Sequence, residues 1–269
     1  MENTNFNADN NSNLYEKPKV DNTKLIYSNL SDNPFHNPFE NLNDNPFNEQ
    51  SIRIGFRNKV LGIVSIQMLF TVGICALFME NHKMNELMNG PHKTALYILA
   101  TIATFVTLFV MMCVPKYRYH YPHNYILLTL FTASLSYTVA LVCIQYQTYS
   151  VIYAGIATCV VCFGLIIYAI KTNNDFTTMG AGLSSALVIL IVMGIIGSFI
   201  RDSVYNFVYS GLGAFIFSLY LIYDIQMVSS GNHKYELSPD DYIMGAIAIY
   251  LDIINIFLDI LNLVGARRD

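Results

Sequence analysis

Asp252, Asn255, Asp259 and Asn262 lie within an otherwise apolar stretch, Tyr242 to Gly265, long enough to cross a bilayer core as a helix. At 100° per residue, their offsets place all four within an arc of roughly 80°, so they form one polar stripe. The preceding apolar stretch, Phe207 to Val228, holds a single ionisable residue apart from its tyrosines, Asp224. An aspartate near the centre of a spanning helix costs about 2.5 to 3.5 kcal/mol on insertion scales, so a span that keeps one turns it toward protein or water. Two such residues on consecutive spans point to chemistry between them.

Two carboxylates held together in a poorly solvated site cannot both ionise cheaply, and the outcome is one shared proton and a coupled titration. Such a pair senses protons without a histidine. When ionised, Asp224 and Asp252 with the Asn255 side-chain oxygen also offer hard ligands for a transient Ca²⁺, since conduction requires weak rather than caged binding. The sequence contains no EF-hand loop, and no cofactor is expected. A plainer alternative is that Asp224 and Asp252 hydrogen-bond to tyrosine and asparagine neighbours and merely tie the two helices together. Intramembrane aspartyl proteases also place two aspartates on neighbouring spans, the first in a Tyr-Asp dipeptide as at Tyr223-Asp224. Their second aspartate follows Gly-x-Gly, whereas here Tyr250-Leu251 precedes Asp252 and no Pro-Ala-Leu follows, so an enzyme is not expected.

The elements that must position these residues follow from composition. Of 269 residues, 54% are hydrophobic and 13% charged, the balance of a polytopic membrane protein rather than an ordinary soluble domain. A net charge of −4 with scattered Lys and Arg excludes nucleic acid as the expected partner. The five cysteines all lie in or at the ends of apolar runs and read as small buried hydrophobes. Cys159 and Cys162 have CxxC spacing, but within CVVC and with no second pair or nearby histidine they do not form a metal site.

From Ser51 onward, seven apolar runs follow at roughly 58–79, 94–114, 124–144, 149–170, 179–200, 205–228 and 241–265. The expected fold is all-α, a transmembrane helix bundle over residues 51–269 with seven spans. Basic residues are nearly balanced between the two sides, so the last span either crosses the membrane or re-enters it. Residues 1–50 are rich in Asn with few clustered apolar residues, and read as a disordered cytosolic tail with no signal peptide. Within this tail are three Asn-Pro-Phe tripeptides, Asn33-Pro34-Phe35, Asn37-Pro38-Phe39 and Asn45-Pro46-Phe47. They resemble ligands of EH domains, the endocytic adaptors that bind the Phe of an Asn-Pro turn, and three closely spaced copies suit multivalent binding.

Several longer motifs occur in order: SIRIGFRNKV before span one, YRYHYPHNYILL before span three, IKTNNDFT after span four, SLYLIYDIQ in span six, then HKYELSPDDY and IYLDIINIFLDIL. Together they resemble the Bax-inhibitor / Lifeguard (transmembrane Bax-inhibitor motif) family, and its Lifeguard branch, over about residues 51 to 265. The resemblance implies a six- or seven-helix protein of the lipid bilayer that lets calcium ions leak passively from stores, gated by pH, and suppresses apoptosis. By motif, the gate pair falls on Asp224 and Asp252, and a basic latch on either Lys116 or Arg118. Asp259 departs from the family pattern, which usually has an apolar or aromatic residue there; it extends the polar stripe or sits at the far interface. The alternative function is a non-conducting membrane interaction protein that binds apoptosis regulators or calcium-channel partners. Golgi, endoplasmic reticulum or another endomembrane is the expected location, with the plasma membrane as a further station on the route that the Asn-Pro-Phe motifs suggest.

Overall fold

The computed structural model describes residues 46–80, 93–200, 202–229 and 235–268. Its helices are α1 (Pro46–Glu80), α2 (Lys93–Cys113), the short α3 (Pro115–Tyr119), α4 (His123–Cys143), α5 (Thr148–Lys171), α6 (Gly180–Gly197), α7 (Ser203–Val228) and α8 (Tyr242–Val264), with 3-10 turns at Phe176–Met179 and Pro239–Asp241. All but α3 are long and apolar enough to cross a membrane, so the chain is an integral multi-pass protein. Residues from Glu49 onward form one compact unit.

The first helix starts earlier than the composition change at Ser51 suggests. Proline suits the first position of a helix, where its missing N–H leaves no bond unmade. The helix therefore starts at Pro46, and Pro46 and Phe47 of the third Asn-Pro-Phe copy are its first residues. The motifs at Asn33-Pro34-Phe35 and Asn37-Pro38-Phe39, Asn45, and the rest of the expected tail lie outside the described residues.

The central element is α8, which is buried on more than one side. Ala246, Ile249, Ile253 and Ile256 repeat at the same offsets as the polar stripe and join an apolar cluster with Val60 and Val64 of α1, Cys162 of α5 and Leu221, Ile222 and Ile225 of α7. On another face, Ile243, Ile247, Tyr250 and Ile254 pack with Met111 of α2 and Leu128 and Phe131 of α4. A spanning helix with apolar packing on two faces and carboxyls on a third belongs inside the bundle. The long helix α7 packs against it most extensively, with α4 and α5 also in contact, while α2 leans on α4 and α6 on α7. Those two outer helices turn large apolar side chains such as Phe105, Phe109, Ile189 and Ile195 outward, as lipid contact requires.

Hydroxyl and amide groups tie the interior together. Thr71 of α1 bonds Ser136 of α4 at 2.8 Å and the Tyr250 hydroxyl of α8 at 2.7 Å. Gln67 of α1 donates to Thr132 of α4 at 2.8 Å. All five side chains are buried, where an unmade bond would be expensive.

The last helix runs alongside α4 from one end to the other. At its start, Tyr242 accepts from Asn124 at the beginning of α4 at 3.0 Å; at its end, Asn262 accepts from Tyr146 just beyond α4 at 2.5 Å. The two helices therefore run parallel over their whole length. Beyond α8, Gln147 N donates to Ala266 O and Arg268 N to Gln145 O, each at 2.9 Å, which docks the chain onto the α4–α5 connection. A tag placed after Asp269 is expected to be protected in sealed vesicles in which a tag before Met1 is digested; digestion of both would show that the last helix turns back.

Candidate functional site

Asp224 lies one turn before the end of α7, and Asp252 near the middle of α8. Their carboxyl groups face each other within hydrogen-bonding reach. Asp252 is 5% exposed and Asp224 half-buried. The Oδ2 atom of Asp252 is buried with no hydrogen-bond partner among the described residues. Ionised carboxylates only accept, so two of them in contact require a proton between them. Cys162 of α5 stands within electrostatic reach of Asp252 and belongs to an apolar cluster that also holds Val64, Ile225 and Ile253. The Tyr220 ring stands within electrostatic reach of both aspartates, and its hydroxyl pairs with Ser184 of α6.

A buried glutamine fixes the end of α7 that carries Asp224. Gln226 accepts from Phe176 N at 2.8 Å and donates to Asn174 O at 2.9 Å and Ala169 O at 3.4 Å, joining α7 to the α5–α6 connection. Asp175 supports the same corner by accepting from Thr177 N at 3.0 Å, which caps the 3-10 turn. Sequence reasoning passed over Gln226, although an amide two residues beyond Asp224 in an apolar run was the available signal.

The latch candidates stand away from the pair. Arg118 Nε lies 3.1 Å from Asp241 Oδ1, its guanidinium packs over the Tyr119 ring at 4.6 Å, and it also contacts the Tyr119 hydroxyl. Asp241 precedes Asp252 by eleven residues, which is about 16 Å of helix. Lys116 is exposed. Two further cations hold the same α7–α8 connection: Arg53 pairs with Glu236 at 2.5 Å and donates to Leu237 O at 2.8 Å, and Lys59 sits 3.2 Å from the centre of the Tyr242 ring. A cleft of about 320 Å³ lined by Tyr119, Ser238, Asp240, Asp241 and Tyr242 opens beside the Arg118–Asp241 pair.

The rest of the stripe divides by environment. Asn255 is half-buried and donates to Leu251 O of its own helix at 2.8 Å, while Asn262 is engaged by Tyr146. Asp259 is buried against α7 at Gly213, where an added Cβ would collide with its carboxyl group. Among the described residues no three His, Cys, Asp or Glu side chains converge, so Asp224 and Asp252 offer a cation two carboxylates and no cage.

Residues 53–269 match the family described as inhibitor of apoptosis-promoting Bax1, Bax1-I. The chain is 37% identical over 225 residues to protein lifeguard 3 of Homo sapiens, covering 82% of this chain and 71% of that protein. It is equally 37% identical to protein lifeguard 3 of Mus musculus over 224 residues, 81% of this chain and 71% of the relative. Similarity to the Golgi anti-apoptotic protein of vaccinia virus (strain Lister) is 35% over 212 residues, 79% of this chain and 85% of the relative.

The contact between Arg118 and Asp241 can be isolated by a double-mutant cycle. Arg118→Gln and Asp241→Asn are expected to couple by about 1 kcal/mol in thermal unfolding in detergent, whereas Arg118→Gln and Asp252→Asn should be additive. Coupling of Arg118 to Asp252 instead would place the latch on the gate pair.

Proposed function

The chain belongs to the Bax1-I family, the inhibitors of apoptosis-promoting Bax1, and from that premise we propose that it restrains cell death as a proton-controlled Ca²⁺ leak through the α7–α8 seam. The observation that carries this reading is the contact between the Asp224 and Asp252 carboxyls, contributed by consecutive spanning helices within an apolar cluster. With a shared proton the two acids tie α7 to α8; without it, two anions repel in a medium of low dielectric and attract a cation. The proton content of the pair thus decides what holds the seam together. Calcium suits such a path because two carboxylates bind it weakly enough to release it.

An endomembrane location accords with similarity to a Golgi anti-apoptotic protein. The Asn-Pro-Phe copies add a sorting function: EH-domain adaptors would engage the tail while the spans conduct. No bond-breaking chemistry is assigned to the chain.

Calcium flux through the purified protein in liposomes from about pH 6 to about pH 8 tests the leak and its gate together. Wild type is expected to conduct with a pH midpoint that vanishes or shifts in Asp224→Asn. An unchanged midpoint in both Asp224→Asn and Asp252→Asn would reduce the pair to a structural tie. Absence of flux above empty liposomes at every pH would favour a non-conducting protein that acts by binding apoptosis regulators. Replacing Phe35, Phe39 and Phe47 by Ala should redistribute the protein among cellular membranes without altering flux; an unchanged distribution would remove the adaptor role.

A further inference from the structure

Among the described residues, Asp252 and Asp259 are the two buried acidic side chains, and their situations differ. Asp252 has a second carboxyl to share a proton with. Asp259, 7% exposed, has neither a hydrogen bond nor an ion pair among the described residues. Its carboxyl lies directly on α7 at Gly213, where a Cβ would meet both oxygens and Cγ. Ser210, 2% exposed, stands one turn earlier on the same face of α7. A carboxyl, a hydroxyl and backbone left bare by glycine thus occupy one side of the seam.

An ionised carboxylate without a partner in such surroundings costs several kcal/mol, so this group is held there as an acid or with a cation. Its own carboxylate oxygens are hard donors, which suit a hard cation and not a soft metal. We propose that Asp259, seated over Gly213, is a second cation-binding position on the α7–α8 seam, taking Ca²⁺ or a similarly hard cation in place of its proton. The inference rests on the reading of that seam as a cation path. Asp259 lies seven residues beyond Asp252, about 10 Å along the helix, with Asn255 between them on the same stripe. Two weak stations in series let an ion enter and leave, as a single tight one would not. Tyr209 of α7 is the titratable group within electrostatic reach of the Asp259 carboxyl, with Tyr205 next to it; Asp252 on α8 and Asp224 on α7 lie further along.

The nearby tyrosine permits a direct test on the full-length protein in detergent. Tb³⁺ is a hard cation that occupies Ca²⁺ sites and luminesces when a close tyrosine absorbs light. Wild type is expected to show tyrosine-sensitised Tb³⁺ luminescence that Ca²⁺ displaces, and Asp259→Asn to lose more than about half of it. Tyr209→Phe leaves the carboxyl in place and should dim the same component without moving the Ca²⁺ displacement midpoint. This second variant keeps the test decisive should Asp259→Asn fail to fold. A displaceable signal undiminished by Tyr209→Phe, or by a folded Asp259→Asn, overturns the site. Luminescence that depends on Asp259 in a protein without liposome flux would refute the leak and leave the site standing; flux with luminescence indifferent to both variants would do the reverse.

Discussion

A carboxyl group in the middle of a spanning helix must be satisfied by protein, and the arrangement of this bundle follows from where α8 finds its partners. Lipid offers neither hydrogen bonds nor counterions, so the polar stripe of α8 has to face another helix. Its two apolar stripes, one against α1, α5 and α7 and the other against α2 and α4, leave the third face toward α7. The helix is therefore central, and α2 and α6, which carry no acidic residue, are left to meet the lipid. Asp224 occurs at the depth in α7 where Asp252 needs it, and Gln226 anchors that depth by holding the end of α7 to the α5–α6 connection.

Charged residues of the opposite sign sit where water begins. Arg53, Lys59 and Arg118 all act on the segment that connects α7 to α8, through Glu236, the Tyr242 ring and Asp241. An arginine at the end of a connection has a side chain of only several ångströms, whereas Asp252 lies about 16 Å further along its helix than Asp241. Arg118 on Asp241 therefore secures the mouth of the seam rather than its centre. The cation at the mouth and the paired acids at the centre are separate contacts, and the first cannot neutralise the second without movement of α8 or α3.

Much of this was legible in the sequence, and the gaps have physical causes. The seven spans appear in the apolar runs because a bilayer imposes length and composition on each one, and the observed ends of α2, α4, α5 and α8 fall within a residue or two of those runs. Spacing alone put Asp252, Asn255, Asp259 and Asn262 on one face. What each would meet was not readable, because that depends on the relative heights of α7 and α8, which are set by tertiary contacts such as Leu237 N to Met227 O. Charge bias gave equally little on α8, since it is a statistical cue and the basic residues were nearly balanced. The early start of α1 at Pro46 escaped notice because its first turns are polar.

The difference between Asp252 and Asp259 shows how one repeating stripe can meet two different surroundings. Both lie on the same face of α8, and both are removed from water. Opposite Asp252, α7 presents an acid, and two carboxyls in contact require a proton between them. Opposite Asp259, α7 presents Gly213, which contributes no side chain and leaves the carboxyl without a donor. A Cβ at Gly213 would meet the Asp259 carboxyl, which would have to turn aside. The glycine and the acid pair are thus linked through the packing of one helix pair: the close approach that lets two carboxyls share a proton is the same approach that presses the third against bare backbone.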